Sequence, residues 1–253
     1  MSIFVAIIMG LIQGVAEFLP ISSSGHLILA QGLLGLPEDG LMLFNIMLHI
    51  ATLLAVVIVF HKRIWKLVRN PFCKTNIALL ISTAVTVGFV LLFRDWIDRT
   101  FTARVLPTTF MVTAVVLVAI SLWGSGGKKD GVDKRGALVV GLAQGIAVVP
   151  GFSRSGFTIS AALATGTKRE VAAEYSFLMS IPIIVAALVY EVMGSGGVVM
   201  GDVGWVAMGV AFVVALVSGV AAIKFMLHII RRIPLWWFSV YLVVAAAVAL
   251  VVL

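Results

Sequence analysis

Two short polar clusters interrupt an otherwise apolar chain. The first comprises Gln13, Glu17, Ser22, Ser23, Ser24, Gly25 and His26; the second comprises Ser153, Arg154, Ser155, Gly156 and Thr158. Glu17 lies one helical turn after Gln13, so both side chains share a helix face. Such a pair could hold a divalent cation through its oxygens, or Glu17 could orient or deprotonate a nucleophile. His26, directly after three serines and a glycine, is a candidate nucleophile or proton donor; Ser23 and an activated water are the other candidate nucleophiles. Arg154 carries a planar fork suited to phosphate oxygens, with the hydroxyls of Ser153 and Ser155 beside it. The competing reading of Arg154 is a structural ion pair with Glu17. Taken together, these residue types point to chemistry on a phosphate.

The surroundings make that chemistry unusual. Of 253 residues, 62% are hydrophobic and 11% charged, with a mean hydropathy of +1.18. No water-soluble domain of this size has such a composition. A spanning helix needs about 20 apolar residues, and six runs qualify: roughly 41–60, 76–93, 105–123, 171–193, 204–223 and 235–253. The N-terminal apolar stretch contains Gln13 and Glu17, has no basic start and shows no small-residue cleavage site, so it reads as part of the mature protein. Glu17, His26 and Arg154 therefore lie within the bilayer, where an ionisable group is functional by default because of its cost. His49, one turn after Asn45, reads as a packing or hydrogen-bonding residue. His61 and His228 adjoin basic loop residues, and Trp65, Trp96, Trp205, Trp236 and Trp237 fall near span ends, as an aromatic belt requires. The single Cys73 excludes an internal disulfide.

An internal duplication positions the two clusters. With an offset of 131 residues and no gap, the segment from Gly10, Gln13, Gly14 and Ala16 to Ser22, Ser24 and Gly25 matches that from Gly141, Gln144, Gly145 and Ala147 to Ser153, Ser155 and Gly156. Each half starts with an apolar segment, breaks at a Pro/Gly/Ser cluster, resumes briefly and continues into three spans. The implied fold is an all-α polytopic membrane protein in one domain, 1–253. Its two repeats, 1–123 and 136–253, each consist of a re-entrant helical hairpin, about 3–36 and 136–166, followed by three transmembrane helices.

The net charge of +7 arises from short loops between spans, which argues for orientation rather than for nucleic acid as a partner. If 136–166 is re-entrant, one membrane side holds fourteen Lys and Arg residues, in 61–75, 124–135, 168–169 and 224–232, and the other only Arg94, Arg99 and Arg104. A single crossing there would level the split to nine against eight. The positive-inside rule favours the uneven arrangement, which makes 61–75 cytoplasmic and the repeats inverted. Non-helical backbone inside a bilayer must be buried in protein or line a wet cavity. Both turns are thus expected to meet near mid-membrane, each followed by a helix N-terminus aimed at a shared anion site.

The segments Gln13 to His26 and Pro150 to Thr158, with Leu48 to Ala55 and Glu174 to Pro182, closely resemble the undecaprenyl-diphosphate phosphatase family linked to bacitracin resistance. The likeness spans the whole chain. Gln13 and Glu17 match the family's first motif, followed by its serine-rich stretch with His26, and Pro150 to Thr158 matches the second. The resemblance implies catalytic roles for Glu17, Ser23, His26 and Arg154, and substrate binding by Ser22, Ser24, Gly25, Ser153, Ser155, Gly156 and Thr158. It also implies a divalent cation, magnesium or calcium, at Gln13 and Glu17. Gln at position 13 removes one carboxylate, so the diphosphate would supply most ligands. The implied setting is the bacterial cytoplasmic membrane, with the site open to the outer face and a polyprenyl diphosphate lipid as substrate. Small-xxx-small faces are compatible with a homodimer but nominate no interface.

Two rival activities share part of this pattern. The acid-phosphatase-like lipid phosphatases need a His six residues after their Arg, where this chain has Ser160. A secondary transporter or polyprenyl-phosphate flippase shares the inverted-repeat layout, but it needs no nucleophile beside a phosphate clamp.

Overall fold

A computed structural model describes all residues except 37–40, 101, 125–126 and 195–202, and side chains except those of 190–194. In order, the helices are α1 Ile3–Ala16, α2 Ser23–Leu34, α3 Met42–Arg69, α4 Lys74–Leu92, α5 Arg94–Thr100, α6 Leu106–Trp123, α7 Lys134–Ile146, α8 Arg154–Ala164, α9 Arg169–Gly194, α10 Trp205–Ile229 and α11 Trp236–Val252, with a 3-10 turn at Ala103–Val105. Among the described residues five helices are long and apolar enough to cross a membrane; the sixth expected span, 235–253, is a helix of 17 residues. Leu11, Leu80, Val115, Val217, Val251 and many other apolar side chains face outward, as lipid contact requires.

The two expected hairpins are present as helix–turn–helix units, α1–α2 and α7–α8. Each outgoing helix begins with a serine cap. Ser22 Oγ accepts from the Gly25 amide at 3.2 Å, and Ser153 Oγ accepts from the Gly156 amide at 3.0 Å. Both short helices also end alike. Gly35 and Gly166, again 131 residues apart, adopt φ of 62° and 85°, a left-handed conformation that glycine takes without a Cβ penalty. The following amides of Leu36 and Thr167 reach back to the carbonyls of Gln31 and Ala162, closing matching C-caps.

The hairpins are held by helices of the opposite repeat. α1 lies on α10, and α7 lies on α4. Both contacts pass through paired glycines. A Cβ on Gly10 would come within 2.6 Å of the Ala211 carbonyl oxygen, and one on Gly141 within 2.7 Å of the Ser82 carbonyl oxygen. The backbones meet this closely because small residues recur four apart. On α7 the contact is reinforced by Ser82 Oγ donating to the Ala137 carbonyl at 2.8 Å and Thr86 Oγ1 donating to the Gly141 carbonyl at 2.9 Å. The core then continues through α3, α6, α9 and α11, where Phe18, Leu48, Phe110, Leu117 and Phe177 are fully enclosed.

The two turns meet. Ser155 Oγ donates to the Leu19 carbonyl at 2.9 Å, joining the second turn to the first. Gly25 and Gly151 approach so closely that a Cβ on Gly25 would lie 3.0 Å from the Gly151 Cα and 2.6 Å from the Phe110 ring. One expected loop is partly helical: Arg94 and Arg99 lie on α5, while Arg104 lies in the 3-10 turn.

Candidate active site

A cavity of about 180 Å³ opens where the turns meet. Its polar wall is Glu17, Ser22, Ser23, Ser24, His49, Ser153, Arg154 and Ser155; its apolar wall is Ala16, Ala147, Phe152, Ile183, Ile184, Ala187 and Leu188. The first turns of α2 and α8 border this space. Helix geometry leaves the earliest amides of each, at Ser23, Ser24, Arg154 and Ser155, without intrahelical acceptors, and both dipoles are positive at this end. An anion is the natural complement.

Glu17 sits at the C-cap of α1, almost fully buried. Its Oε1 pairs with Arg154 Nη2 across the two repeats. The other oxygen, Oε2, accepts from Ser23 Oγ at 2.5 Å and from Gln13 Nε2 at 3.1 Å. The i,i+4 relation of Gln13 and Glu17 thus yields a hydrogen bond. Gln13 Nε2 also points to Thr52 Oγ1 at 3.4 Å, tying α1 to α3, while Gln13 Oε1 is buried without a partner. Arg154 has one further contact, a long one of 3.4 Å from Nη1 to the Ser176 carbonyl, so much of its fork remains available to a ligand. Within each cap the serines also associate: Ser22 with Ser24 at 3.5 Å and Ser153 with Ser155 at 3.3 Å.

The structure brings Glu17, Ser22, Ser23, Ser24, Ser153, Arg154 and Ser155 together at the cavity. Gly25 supports it from behind, where a Cβ would lie 2.6 Å from the Phe110 ring, and a Cβ on Gly156 would crowd Ser153 at 3.1 Å and Pro20 at 3.3 Å. Thr158 is placed elsewhere: its hydroxyl lies 2.8 Å from the Arg154 carbonyl and 2.6 Å from Ser176 Oγ, knitting α8 to α9. His26 is also outside the cavity wall. Its Nδ1 contacts the Ser22 carbonyl at 2.7 Å, and because a carbonyl only accepts, Nδ1 carries the proton. Nε2 of the neutral ring then accepts from the Tyr241 hydroxyl, also at 2.7 Å. Sequence spacing placed His26 beside the serines but could not show that its ring packs between Phe110 and Tyr241. His49, read as a packing or hydrogen-bonding residue, does bond the Asn45 carbonyl at 2.8 Å and also lines the cavity.

The protein oxygens do not build a resident metal site. Among the described residues no three His, Cys, Asp or Glu side chains cluster. Glu17 is engaged on both oxygens, and Gln13 presents its amide nitrogen to it. Magnesium demands near-octahedral oxygen coordination and calcium more oxygens still, which one carboxylate and one orphaned amide oxygen do not supply.

Residues 6–248 match the family described as bacitracin resistance protein BacA. The chain belongs to this family. Its relatives include the protein named undecaprenyl-diphosphatase from Treponema denticola, 41% identical over 96% of this chain and 94% of the relative. Another of the same name, from Carboxydothermus hydrogenoformans, is 38% identical over 99% of this chain and 97% of its own length. A third, from Desulfatibacillum aliphaticivorans, is 40% identical over 97% and 96%. The BacA family match therefore covers both hairpins and all the helices that carry the cavity.

Proposed function

We propose that this BacA-family protein hydrolyses undecaprenyl diphosphate to undecaprenyl phosphate and inorganic phosphate, returning the lipid carrier to peptidoglycan synthesis. The observation that carries the reading is the Ser23 hydroxyl 2.5 Å from a Glu17 carboxylate that is itself paired with Arg154. A hydroxyl, an acceptor for its proton and a phosphate-binding cation then occupy one small cavity at two helix N-termini.

In this mechanism the diphosphate enters the polar half of the cavity, and the prenyl chain lies along Ile183, Ile184, Ala187 and Leu188 toward lipid. Arg154, the serine hydroxyls and the free amides of α2 and α8 stabilise charge that builds on the terminal phosphoryl oxygens, where most phosphoryl-transfer catalysis originates. Ser23 Oγ attacks the terminal phosphorus as Glu17 takes its proton. The bond to the bridging oxygen breaks, and undecaprenyl phosphate departs with the electron pair. Water then releases phosphate from the phosphoserine. His26 serves as a positioning residue, holding the Ser22 carbonyl and, through it, the start of α2. A divalent cation, magnesium or calcium, would have to arrive with the diphosphate, since Gln13 and Glu17 alone do not hold one, and would supply neutralisation of phosphate charge.

We further infer that the repeats are inverted and the hairpins re-entrant, in the bacterial cytoplasmic membrane with the cavity open to the outer face. The reciprocal seating of α1 on α10 and α7 on α4 and the fourteen-to-three division of basic residues support this arrangement. The test is phosphate release from a polyprenyl diphosphate by purified protein, with and without chelator. Ser23→Ala, Glu17→Gln and Arg154→Ala should each lower it by about a hundredfold or more. Near-normal release from all three in folded protein would refute the mechanism. Lipid movement in vesicles without any phosphate release would favour the flippase reading instead.

A further inference from the structure

His49 is the ionisable side chain of the cavity wall to which the reaction above assigns no task. It sits on α3 between Asn45 and Thr52 and is partly buried. Its Nδ1 lies 2.8 Å from the Asn45 carbonyl. A carbonyl cannot donate, so Nδ1 carries a proton, and the neutral ring has its lone pair on Nε2. Among the described residues, no group hydrogen-bonds Nε2. His49 lines the same cavity as Glu17, and Arg154 faces that space from α8. Thr52 Oγ1 fixes this turn of α3 by donating to the His49 carbonyl at 3.0 Å while facing Gln13 Nε2 at 3.4 Å. His26 offers no such lone pair, because both its ring nitrogens are engaged.

We propose that His49 is the catalytic base of the second half-reaction, an inference that rests on reading Ser23 as the nucleophile. Once Ser23 carries the phosphoryl group, Glu17 holds the serine proton and cannot accept another. The attacking water needs a different acceptor, and His49 Nε2 is the unoccupied one in the wall. One O–H bond of the water breaks and its proton passes to Nε2. The water oxygen bonds to phosphorus, and the bond from phosphorus to Ser23 Oγ breaks with its electron pair left on Oγ. Oγ recovers the proton from Glu17, inorganic phosphate leaves, and the His49 proton passes to solvent through the open cavity.

The experiment uses the full-length protein in detergent and a polyprenyl diphosphate radiolabelled on the terminal phosphorus. His49→Gln should release about one equivalent of prenyl monophosphate per protein in a burst, retain the label on Ser23, and release inorganic phosphate at least about a hundredfold more slowly than the parent. In His49→Gly, added imidazole should restore turnover, which a misfolded protein could not show. Turnover of His49→Gln within about threefold of the parent would overturn the proposal, and so would slow turnover with neither burst nor label. Ser23→Ala tests the underlying reading separately. If Ser23→Ala still turns over, the serine is not the nucleophile, and imidazole rescue of His49→Gly alone decides: rescue upholds His49 as base for water attacking the diphosphate directly, and its absence refutes that role.

Discussion

The two hairpin turns are built on one plan and carry opposite chemistry. In both, a serine caps a short helix, a second serine stands two residues on, and a glycine follows where the backbones crowd. The residue between the serines differs: Ser23 in the first turn, Arg154 in the second. Equivalent positions thus supply the hydroxyl that would attack and the cation that would clamp. Five residues before the cap the difference recurs, with Val148 at the position that matches Glu17. The glutamines are kept, Gln13 bonding Glu17 and Thr52, and Gln144 bonding Thr86 at 3.2 Å, each with its carbonyl oxygen buried and unpartnered. The two turns match in sequence at an offset of 131 residues, and the differences at two positions per turn give the cavity a negative and a positive side.

The sharpest way to break that comparison is to remove one wall. Arg154→Ala leaves Glu17 buried without its partner, and Glu17→Ala leaves Arg154 likewise. Loss of one member of a buried pair costs about 3–5 kcal/mol, so both variants should show lower melting temperatures in detergent as well as the loss of phosphate release. Arg154→Lys keeps the charge but not the fork. It should recover much of the stability but under about a tenth of the activity. Equal recovery of both would mean that Arg154 acts as a structural counter-ion alone.

A second contrast concerns how each hairpin is seated. A Cβ at Gly14 would lie 2.5 Å from the Ala215 carbonyl oxygen and 2.0 Å from Ser218 Oγ, whereas at Gly145 it meets the Phe89 side chain at 2.7 Å. A backbone carbonyl on a packed helix cannot step aside; a phenyl ring partly can. Gly14→Ala should therefore destabilise by about 2–3 kcal/mol and Gly145→Ala by about 1 kcal/mol, read from thermal unfolding. The reverse order would show that α1 is more loosely held on α10 than the structure depicts.

Much of this arrangement was legible in the sequence because duplication makes it so. The repeat predicted a break in each half and the meeting of the two turns, and intramembrane charge singled out Glu17 and Arg154, whereas the capping role of Ser22 and Ser153 came only from the structure. What spacing could not reveal was the outward aim of side chains whose partners lie far along the chain. His26 is claimed by Tyr241, 215 positions away, and Thr158 by Ser176 on the next long helix. The cavity face of His49 depends on where α1 and α8 come to rest against α3. Ile183, Ile184, Ala187 and Leu188 gave no signal at all, being apolar residues within an apolar span. The partly helical path through Arg94 to Val105 lacked any periodicity strong enough to announce it.

His26 and its counterpart extend the comparison to a smaller effect. Phe157 occupies the matching place in the second repeat, so among the described residues the first turn alone has a hydrogen-bonded brace to α11. Tyr241→Phe deletes that brace while keeping the ring, which should cost about 1 kcal/mol and lower turnover several-fold by loosening the Ser22 carbonyl. A loss of activity as deep as that of Glu17→Gln would place His26 in the chemistry instead.

The smallest expected effect lies at the entry to the second hairpin. Asp133 caps α7, its Oδ1 accepting from the Gly136 amide and its Oδ2 from Lys129 Nζ, both at 2.7 Å. The Lys129 hydrogen bond first, and the Gly136 amide next, hold its carboxyl below the usual carboxylate range. A depressed folded-state value means that this stabilisation is full above the unfolded value, near 3.9, and is lost as pH falls through the lower folded value. The first hairpin starts at Ser2, whose hydroxyl cap does not titrate in this range. Asp133→Asn keeps a capping oxygen but removes the charge, so its unfolding temperature should fall slightly below the parent's at pH 7, and the gap should narrow at pH 3. The side chain is largely exposed, and screening will keep the difference small. A parent and variant separated equally at both pH values would show that the cap, and not the charge, is what Asp133 contributes.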